Sequence, residues 1–269
     1  FGTRNMGGKE AASARYIFTS LSPVTRTLFH EQDDAVLTYL EEEGQRIEPN
    51  YYLPIIPLCL VNGAEGIGTG WSTFIPQHNP RDLVANIKRL MRGEPYQEMH
   101  PWYKGYSGSI EKLPSGDRYS NTGVYEVDEE AEEITITELP VGKWTRDYKS
   151  FLEDLAQKDE VEDIREYHQE NRVHFVVKVQ SIAKIEQKAG GILKYFRLQS
   201  QISCSNFVLF DEEGRLNRYM TEEDICKHWF DLRAELYQRR KEHMLARLLK
   251  EYETLRNKVR FIKAVIEEE

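Results

Sequence analysis

Positive charge is in short supply. Lys and Arg number 36 against 45 Asp and Glu, a net charge of −9 with histidine neutral. That argues against the commonest electrostatic profile of a nucleic-acid-binding domain, a pI above about 9. Cysteine is scarce too. Cys59, Cys204 and Cys226 are odd in number and far apart, and form neither a disulfide framework nor a zinc pattern. Such usage points to a reducing, intracellular compartment. Long apolar runs are missing: the longest, around Leu53 to Val61, falls far short of the ~20 residues of a membrane-spanning helix. No Met opens the chain, no signal peptide is visible, and the last residues continue a helical pattern, so a piece of a longer protein is expected. Disorder is excluded by 40% hydrophobic and 11% aromatic content, enough for one to three domains with buried cores.

The charge that is present comes in blocks. Residues 1–30 hold Arg4, Lys9, Arg15 and Arg26 against Glu10, a local +3. Residues 31–50 carry −6, residues 126–170 carry −11, and residues 171–269 return to +4. Because charge is screened beyond ~10 Å, a basic N-terminal segment can meet a polyanion despite the acidic total. The acidic blocks are expected to turn away from such a partner.

Breakers and periodicity divide the chain. Gly7-Gly8 precedes a helical pattern from Lys9 to about Leu28, and residues 53–80 carry eight Pro and Gly, which predicts a fixed irregular loop. Arg81 to Arg92 reads as an amphipathic helix ended by Gly93. Val124–Val127 and Ile134–Leu139 read as strands, Trp144–Leu155 as helix, Val173–Val179 as strand and Ala183–Ala189 as helix stopped by Gly190-Gly191. Phe207–Phe210 and Leu216–Tyr219 suit a hairpin across Asp211 to Gly214. From Thr221, with Asp224 as capping partner, no Pro or Gly interrupts a helix to the end. Its seam of Leu245, Leu248, Tyr252, Leu255, Val259, Ile262 and Ile266 is spaced 3, 4, 3, 4, 3, 4, a heptad pattern. An earlier seam, Ile225, Trp229, Leu232 and Leu236, is out of phase with it, and Arg239-Arg240-Lys241 marks the change. No internal repeat is present.

The residues that could carry chemistry cluster near the start: Phe1-Gly2-Thr3-Arg4, then Gly7-Gly8-Lys9-Glu10-Ala11-Ala12-Ser13-Ala14-Arg15-Tyr16. Taken alone, Tyr16 is one of fifteen tyrosines, most of which pack. Its setting differs: small residues precede it, Arg15 adjoins it, and the double glycine offers N–H groups where an anion could bind at a helix start. A phenol with an ordinary pKa of ~10 attacks phosphorus only with a cation to favour the phenolate and to meet the charge of the phosphorane. Two nucleotide-loop alternatives fail on spacing. Gly2 to Lys9 misses the P-loop pattern and has Glu10 where Ser or Thr should stand. Asn62 to Gly70 is glycine-rich without the dinucleotide spacing.

The N-terminal run closely resembles the active-site tyrosine motif of type IIA DNA topoisomerases, in the form of eukaryotic topoisomerase II. Glu48-Pro49 through Pro54-Ile55-Ile56-Pro57, Asn62-Gly-Ala-Glu-Gly-Ile-Gly-Thr-Gly-Trp71-Ser with Ile75-Pro76, and Glu138-Leu139-Pro140 with Trp144-Thr145 agree in order and spacing. Arg165-Glu166-Tyr167-His168 and Arg197-Leu198-Gln199 extend the resemblance along the chain. Lys9-Glu10 and the Gly-Thr-Gly-Trp-Ser ending favour the eukaryotic form over the bacterial supercoiling type.

The resemblance implies a fragment of the DNA cleavage and religation core of an ATP-dependent enzyme. The implied fold class is α+β and multi-domain. Residues 1–52 would be the C-terminal part of a winged-helix domain, 53–220 a mixed α/β tower and 221–269 the outgoing helix of a coiled-coil arm. It implies that Tyr16 attacks a phosphodiester and becomes linked to the 5′ phosphate, with Arg15 stabilising the transition state. Ile67 would be the wedge that intercalates and bends DNA. Trp144, Arg197, Gln199, Ser200, Gln201, Ser203 and Asn206 would contact DNA, with Arg4 and Lys9 as phosphate neighbours. The partners implied are double-stranded DNA and a second copy, in a homodimer, with no membrane; the compartment is the nucleus. Magnesium and ATP are the implied cofactors, both bound by domains outside this chain: no ATPase motif and no D-x-D pattern is present, and no metal ligands are assigned here. The fragment alone is expected to bind DNA weakly without cutting it. The competing class is a non-enzymatic DNA-bending or scaffold module.

Overall fold

A computed structural model describes residues 2–169 and 171–267; Phe1 of the tyrosine motif lies outside them. The fold is mixed α+β with a long C-terminal helix, built on two hydrophobic clusters.

The first cluster lies on a four-stranded antiparallel sheet. Its strands are β7 (Val124–Asp128), β8 (Glu133–Glu138), β9 (Asp163–Glu166) and β10 (Phe175–Lys178), in the order β7-β8-β10-β9. Period-2 alternation turns Ile134 and Ile136 of β8 inward, paired across the ladder with Val177 and Phe175. Helix α4 (Thr145–Gln157) closes this face with Tyr148, Leu152 and Leu155, one stripe at i, i+4 and i+7. Two short helices, α5 (Ile182–Glu186) and α6 (Gly191–Tyr195), add Ile182, Ile185 and Ile192. A three-stranded sheet, β5 (Ser109–Lys112), β6 (Arg118–Thr122) and β11 (Gln199–Ser203), runs beside it in the order β11-β6-β5.

The second cluster gathers α2 (Leu58–Asn62), the hairpin β3 (Ala64–Gly68) and β4 (Trp71–Ile75), and α3 (Pro80–Arg92). The hairpin β12 (Phe207–Phe210) and β13 (Leu216–Tyr219) and the start of α7 (Glu222–Ile266) complete it. Leu60, Ile75, Leu83, Phe207, Ile225 and Cys226 are its buried centre. The Asn79 carboxamide accepts from Arg81 N–H to start α3, and Gly93, left-handed at φ 69°, ends it. The third hairpin, β1 (Tyr39–Glu42) and β2 (Gln45–Pro49), turns through Glu43 and Gly44, both at positive φ, the geometry that matches strand twist.

Thr221 and Asp224 form a complete capping box at α7. The helix has 45 residues, about 70 Å at ~1.5 Å per residue. Its early face buries Ile225, Cys226, Trp229, Arg233 and Leu236; from Leu245 onward the heptad residues are exposed. The basic run at the change of phase is an anchor: Arg239 donates to the Val36 carbonyl and Arg240 pairs with Asp33. Among the described residues no helix is long and apolar enough to cross a membrane.

Three expectations are corrected. The Lys9–Leu28 helix is reduced to a 3-10 turn, Ala14–Tyr16, and α1 (Thr25–Leu28). Neither buries a residue, and a short helix without tertiary packing is marginal in water. Residues 53–80 are not an irregular loop but α2 and a hairpin whose two-residue turn, Thr69-Gly70, uses Gly70 at φ 78°. Gly190-Gly191 does not simply stop a helix; it joins α5 to α6.

One stability prediction arises at α7. Glu222 sits near the helix start with its carboxylate accepting from Met99 N–H at 3.2 Å. Burial, the largest influence, raises its pKa above the usual carboxylate value. The folded state therefore holds this proton more tightly than the unfolded chain. The associated stability is present below the unfolded pKa and is lost as pH rises through the raised folded pKa. Glu222→Gln keeps an acceptor and removes the charge, so the thermal midpoint should rise at pH 7 and stay unchanged near pH 3. A lower midpoint at pH 7 would show that the charge is favourable there.

Candidate active site

The segment before Tyr16 is a tight loop rather than a helix start. Gly8 N–H donates to the Thr3 carbonyl at 3.2 Å and Ala11 N–H to the Gly8 carbonyl at 3.0 Å. Gly7 and Gly8 take φ 64° and 80°, a region that L side chains avoid. Glu10 accepts from both the N–H and the hydroxyl of Thr3, and that hydroxyl chiefly holds its carboxyl below the usual pKa. The helix-start anion seat expected at the double glycine does not form, because no helix begins there and Gly8 N–H is already used.

Tyr16 ends the 3-10 turn, held by its own N–H on the Ser13 carbonyl at 2.9 Å. Its side chain is 72% exposed, and the Arg15 guanidinium lies 4.9 Å from its ring centroid. A phenol open to solvent beside a cation is available to a large polyanionic substrate and has positive charge at hand.

The basic residues upstream are less free than their sequence suggests. Arg4 pairs with the buried carboxylate of Glu138, and Lys9 with Asp147 at 2.9 Å. Both acids belong to the 126–170 block, so part of that block is used in pairing with the N-terminal segment. Trp144, half-buried, is the N-cap residue of α4, and its indole lies against Gly7.

Ile67 stands on β3, one residue before the last of the strand, and is 93% exposed. The exposure of this apolar side chain suits an apolar wedge. Its hairpin is braced by Asn206: the Asn206 carbonyl accepts from Phe74 N–H at 2.9 Å and its carboxamide donates to the Ser72 hydroxyl at 2.8 Å. On β11, Gln199, Gln201 and Ser203 are exposed on one face. Ser200 faces the other way and accepts from the Asn121 carboxamide at 3.1 Å. Arg197, at φ 51°, lays its guanidinium 4.1 Å over the Phe151 ring. The structure thus brings Arg15 to Tyr16 and Asn206 to the Ile67 hairpin, while engaging Arg4, Lys9, Trp144 and Ser200 with protein partners. Glu138, Asn121 and Asp147 were not legible as partners in sequence; each lies far along the chain from the group it holds.

A cavity of about 740 Å³ is bounded by Tyr51, Tyr52, Phe210, His228 and Trp229, and Tyr16 does not line it. Among the described residues no three His, Cys, Asp or Glu side chains are grouped to hold a metal ion.

A family model for the A-type chain of DNA gyrase/topoisomerase IV matches residues 1–269. The chain belongs to this family. Within it, the chain is 50% identical over 273 residues to DNA topoisomerase 2 of Arabidopsis thaliana, covering 99% of this chain and 18% of that protein. It is 47% identical to the DNA topoisomerase-like protein cin-4 of Caenorhabditis elegans, over 99% of this chain and 32% of that one. A crystal structure of the Plasmodium falciparum topoisomerase II DNA-binding, cleavage and re-ligation domain superposes with a TM-score of 0.90 at 42% identity. That match covers all of this chain and 37% of that one. The chain thus spans about a fifth of the first of these topoisomerase family relatives, and the eukaryotic form expected from Lys9-Glu10 agrees with them.

Proposed function

We propose that this chain is part of the DNA cleavage and religation core of an ATP-dependent topoisomerase II. The observation that carries the proposal is Tyr16, solvent-open with the Arg15 guanidinium 4.9 Å from its ring centroid, in a family whose relatives are named topoisomerases. Tyr16 gives up its phenolic proton as Oη attacks a backbone phosphorus, the P–O3′ bond breaks, and the released 3′ oxygen takes up a proton, so the exchange is balanced. The enzyme is left on the 5′ phosphate. Arg15 offsets the charge gathered on the phosphorane oxygens. One phosphoester replaces another, so the 3′ hydroxyl can reverse the step without a cofactor. Two copies in a homodimer cut opposite strands, a second duplex passes, and the break is resealed.

The domain assignment stands as proposed: 1–52 in a winged-helix domain, 53–220 as tower, 221–269 as coiled-coil arm. The exposed heptad seam from Leu245 to Ile266 supports the arm. Double-stranded DNA would lie across Tyr16, Ile67 and the outward face of Gln199, Gln201 and Ser203, with Arg197 beside it. Magnesium and ATP are assigned to parts of the protein outside this chain, and the compartment is the nucleus. Unlinking of interlocked DNA circles by the full-length protein tests the activity: ATP-dependent unlinking is expected. Binding and bending without unlinking would favour the scaffold alternative. The 269-residue chain alone should bind DNA weakly and form no covalent adduct; an adduct formed by it would contradict the need for the other domains.

Ile67→Ala addresses the wedge. Deleting the apolar tip should reduce DNA bending, read by energy transfer between end labels, more than it reduces affinity. Unchanged bending would remove Ile67 from that role.

A further inference from the structure

The hairpin that carries Ile67 is held along its length as well as at its root. The root pair, Ala64 and Ile75, packs in the second hydrophobic cluster. Ile67 and its partner Ser72 lie three pairs further out, about 10 Å along the strands at ~3.4 Å per residue. Over that length β3 contributes Gly66 and Gly68, which offer no side chain to stiffen a two-stranded ribbon. Support comes from the side, where β12 lies against β4. One backbone bond makes the join, from Phe74 N–H to the Asn206 carbonyl at 2.9 Å. Two hydroxyls complete it. Thr73 Oγ1 accepts from Val208 N–H at 3.2 Å, and Ser72 Oγ accepts from the Asn206 carboxamide at 2.8 Å. Strand β12 is itself fixed: it pairs with β13, and Phe207 and Val208 are buried. The chain entering it is tied by Cys204 N–H on the Asp117 carbonyl at 2.8 Å.

We propose that Ser72 and Thr73 are positioning residues for the Ile67 wedge, fixing its hairpin against β12 at the angle that bends the duplex. The proposal rests on Ile67 being the wedge. Register carries it. Ser72 is the direct partner of Ile67, so the two side chains share one face of the hairpin, and the Asn206 carboxamide grips the hairpin at that pair. Thr73 serves the other face: a Cβ on its partner Gly66 would lie 3.9 Å from the Thr73 methyl group. Its hydroxyl takes the Val208 N–H that a regular ladder would give to a carbonyl. Stacking resists the opening of a base step, and that resistance falls on the hairpin. A ribbon free to swing gives way, whereas one joined to a core strand on both faces holds. The joint uses the backbone carbonyl and the amide nitrogen of Asn206, so the same residue can also touch DNA.

The test uses the full-length protein and one end-labelled duplex at fixed salt. Energy transfer gives the ratio of bent to straight complexes, and titration gives affinity. The variants are Thr73→Val, Thr73→Ser, Ser72→Ala and Ile67→Ala, with Thr73→Val and Ser72→Ala also combined singly with Ile67→Ala. Valine matches threonine in shape and suits a strand, so the fold is kept. Without one hydrogen bond the bending position of the hairpin is less populated. At the usual net worth of such a bond, the bent-to-straight ratio should fall roughly fivefold in Thr73→Val and in Ser72→Ala. Affinity should fall by less than the ratio. Thr73→Ser restores the acceptor and should recover the wild-type ratio. In the Ile67→Ala background the hydroxyl variants should change neither quantity further, because no wedge remains to be placed. Wild-type ratios in Thr73→Val and Ser72→Ala, with bending reduced in Ile67→Ala, would overturn the proposal and leave the wedge standing. Affinity lost at an unchanged ratio, or lost again in the Ile67→Ala background, would also overturn it, by making these residues DNA contacts. Unchanged bending in Ile67→Ala would overturn the wedge reading itself.

Discussion

Tyr16→Phe should abolish the covalent protein–DNA adduct in the full-length protein and leave duplex affinity near normal. The substitution removes one hydroxyl from a side chain that is 72% exposed and part of no core, so the fold has no reason to respond. The ring stays, and with it the cation–π contact to Arg15. Only the hydroxyl of the proposed nucleophile is lost. The measurement is adduct trapped by denaturation beside affinity on the same duplex. Affinity lost in parallel would mean that the hydroxyl serves binding, and residual adduct at a comparable rate would assign the chemistry elsewhere.

The second large effect is on stability. Asp33 is 4% exposed and lies between Arg233, 2% exposed, and Arg240, with contacts of 2.8 and 3.1 Å. Arg233 also donates to the Leu53 carbonyl at 3.0 Å and stacks 4.0 Å over Tyr237. These groups tie the N-terminal segment to the middle of α7. Asp33→Ala would leave a buried guanidinium without its counter-charge, a change that costs about 3–5 kcal/mol, a large share of an ordinary domain's stability of about 5–15 kcal/mol. Chemical denaturation should show the midpoint falling accordingly. Arg233→Met combined with Asp33→Ala should cost less than the sum of the two single changes, because the stranded charge is gone. A loss below about 1 kcal/mol for Asp33→Ala would mean that water reaches and solvates Arg233.

Legibility followed the strength of the local signal. Helices α3 and α7 were readable because a stop or cap coincided with 3.6-residue periodicity, at Gly93 and at Thr221 with Asp224. The β7–β8 and β12–β13 hairpins were readable from β-branched and aromatic runs broken by acidic turns. Strands β5 and β11, Ser109-Ile-Glu-Lys112 and Gln199-Ser-Gln-Ile-Ser203, were hidden because only one apolar residue in each marks the inner face. Glycines at alternate positions hid the β3–β4 hairpin in the same way. Alanines at 11, 12 and 14 suggested a helix that no packing face supports. Within the site, Tyr16, Arg15 and Ile67 were visible through motif resemblance, never through composition. The partner of Arg4 was not, since Glu138 lies 134 residues away and only the tertiary fold brings it there.

The opening deficit of positive charge takes a local meaning. Of the four basic residues in 1–30, Arg4, Lys9 and Arg26 are paired with acids, and Arg15 is the one set against Tyr16. Charge at this site is therefore allotted to holding the loop and to Tyr16, the proposed nucleophile, rather than to a broad basic patch.

The most direct measurement locates the covalent bond. Full-length protein is trapped on a duplex labelled separately at each strand end, digested with trypsin and sequenced by mass spectrometry. The nucleotide should remain on the peptide Tyr16–Arg26, joined to Tyr16 through the 5′ phosphate, with the opposite fragment ending in a free 3′ hydroxyl. Attachment to another residue, or to a 3′ phosphate, would contradict the account.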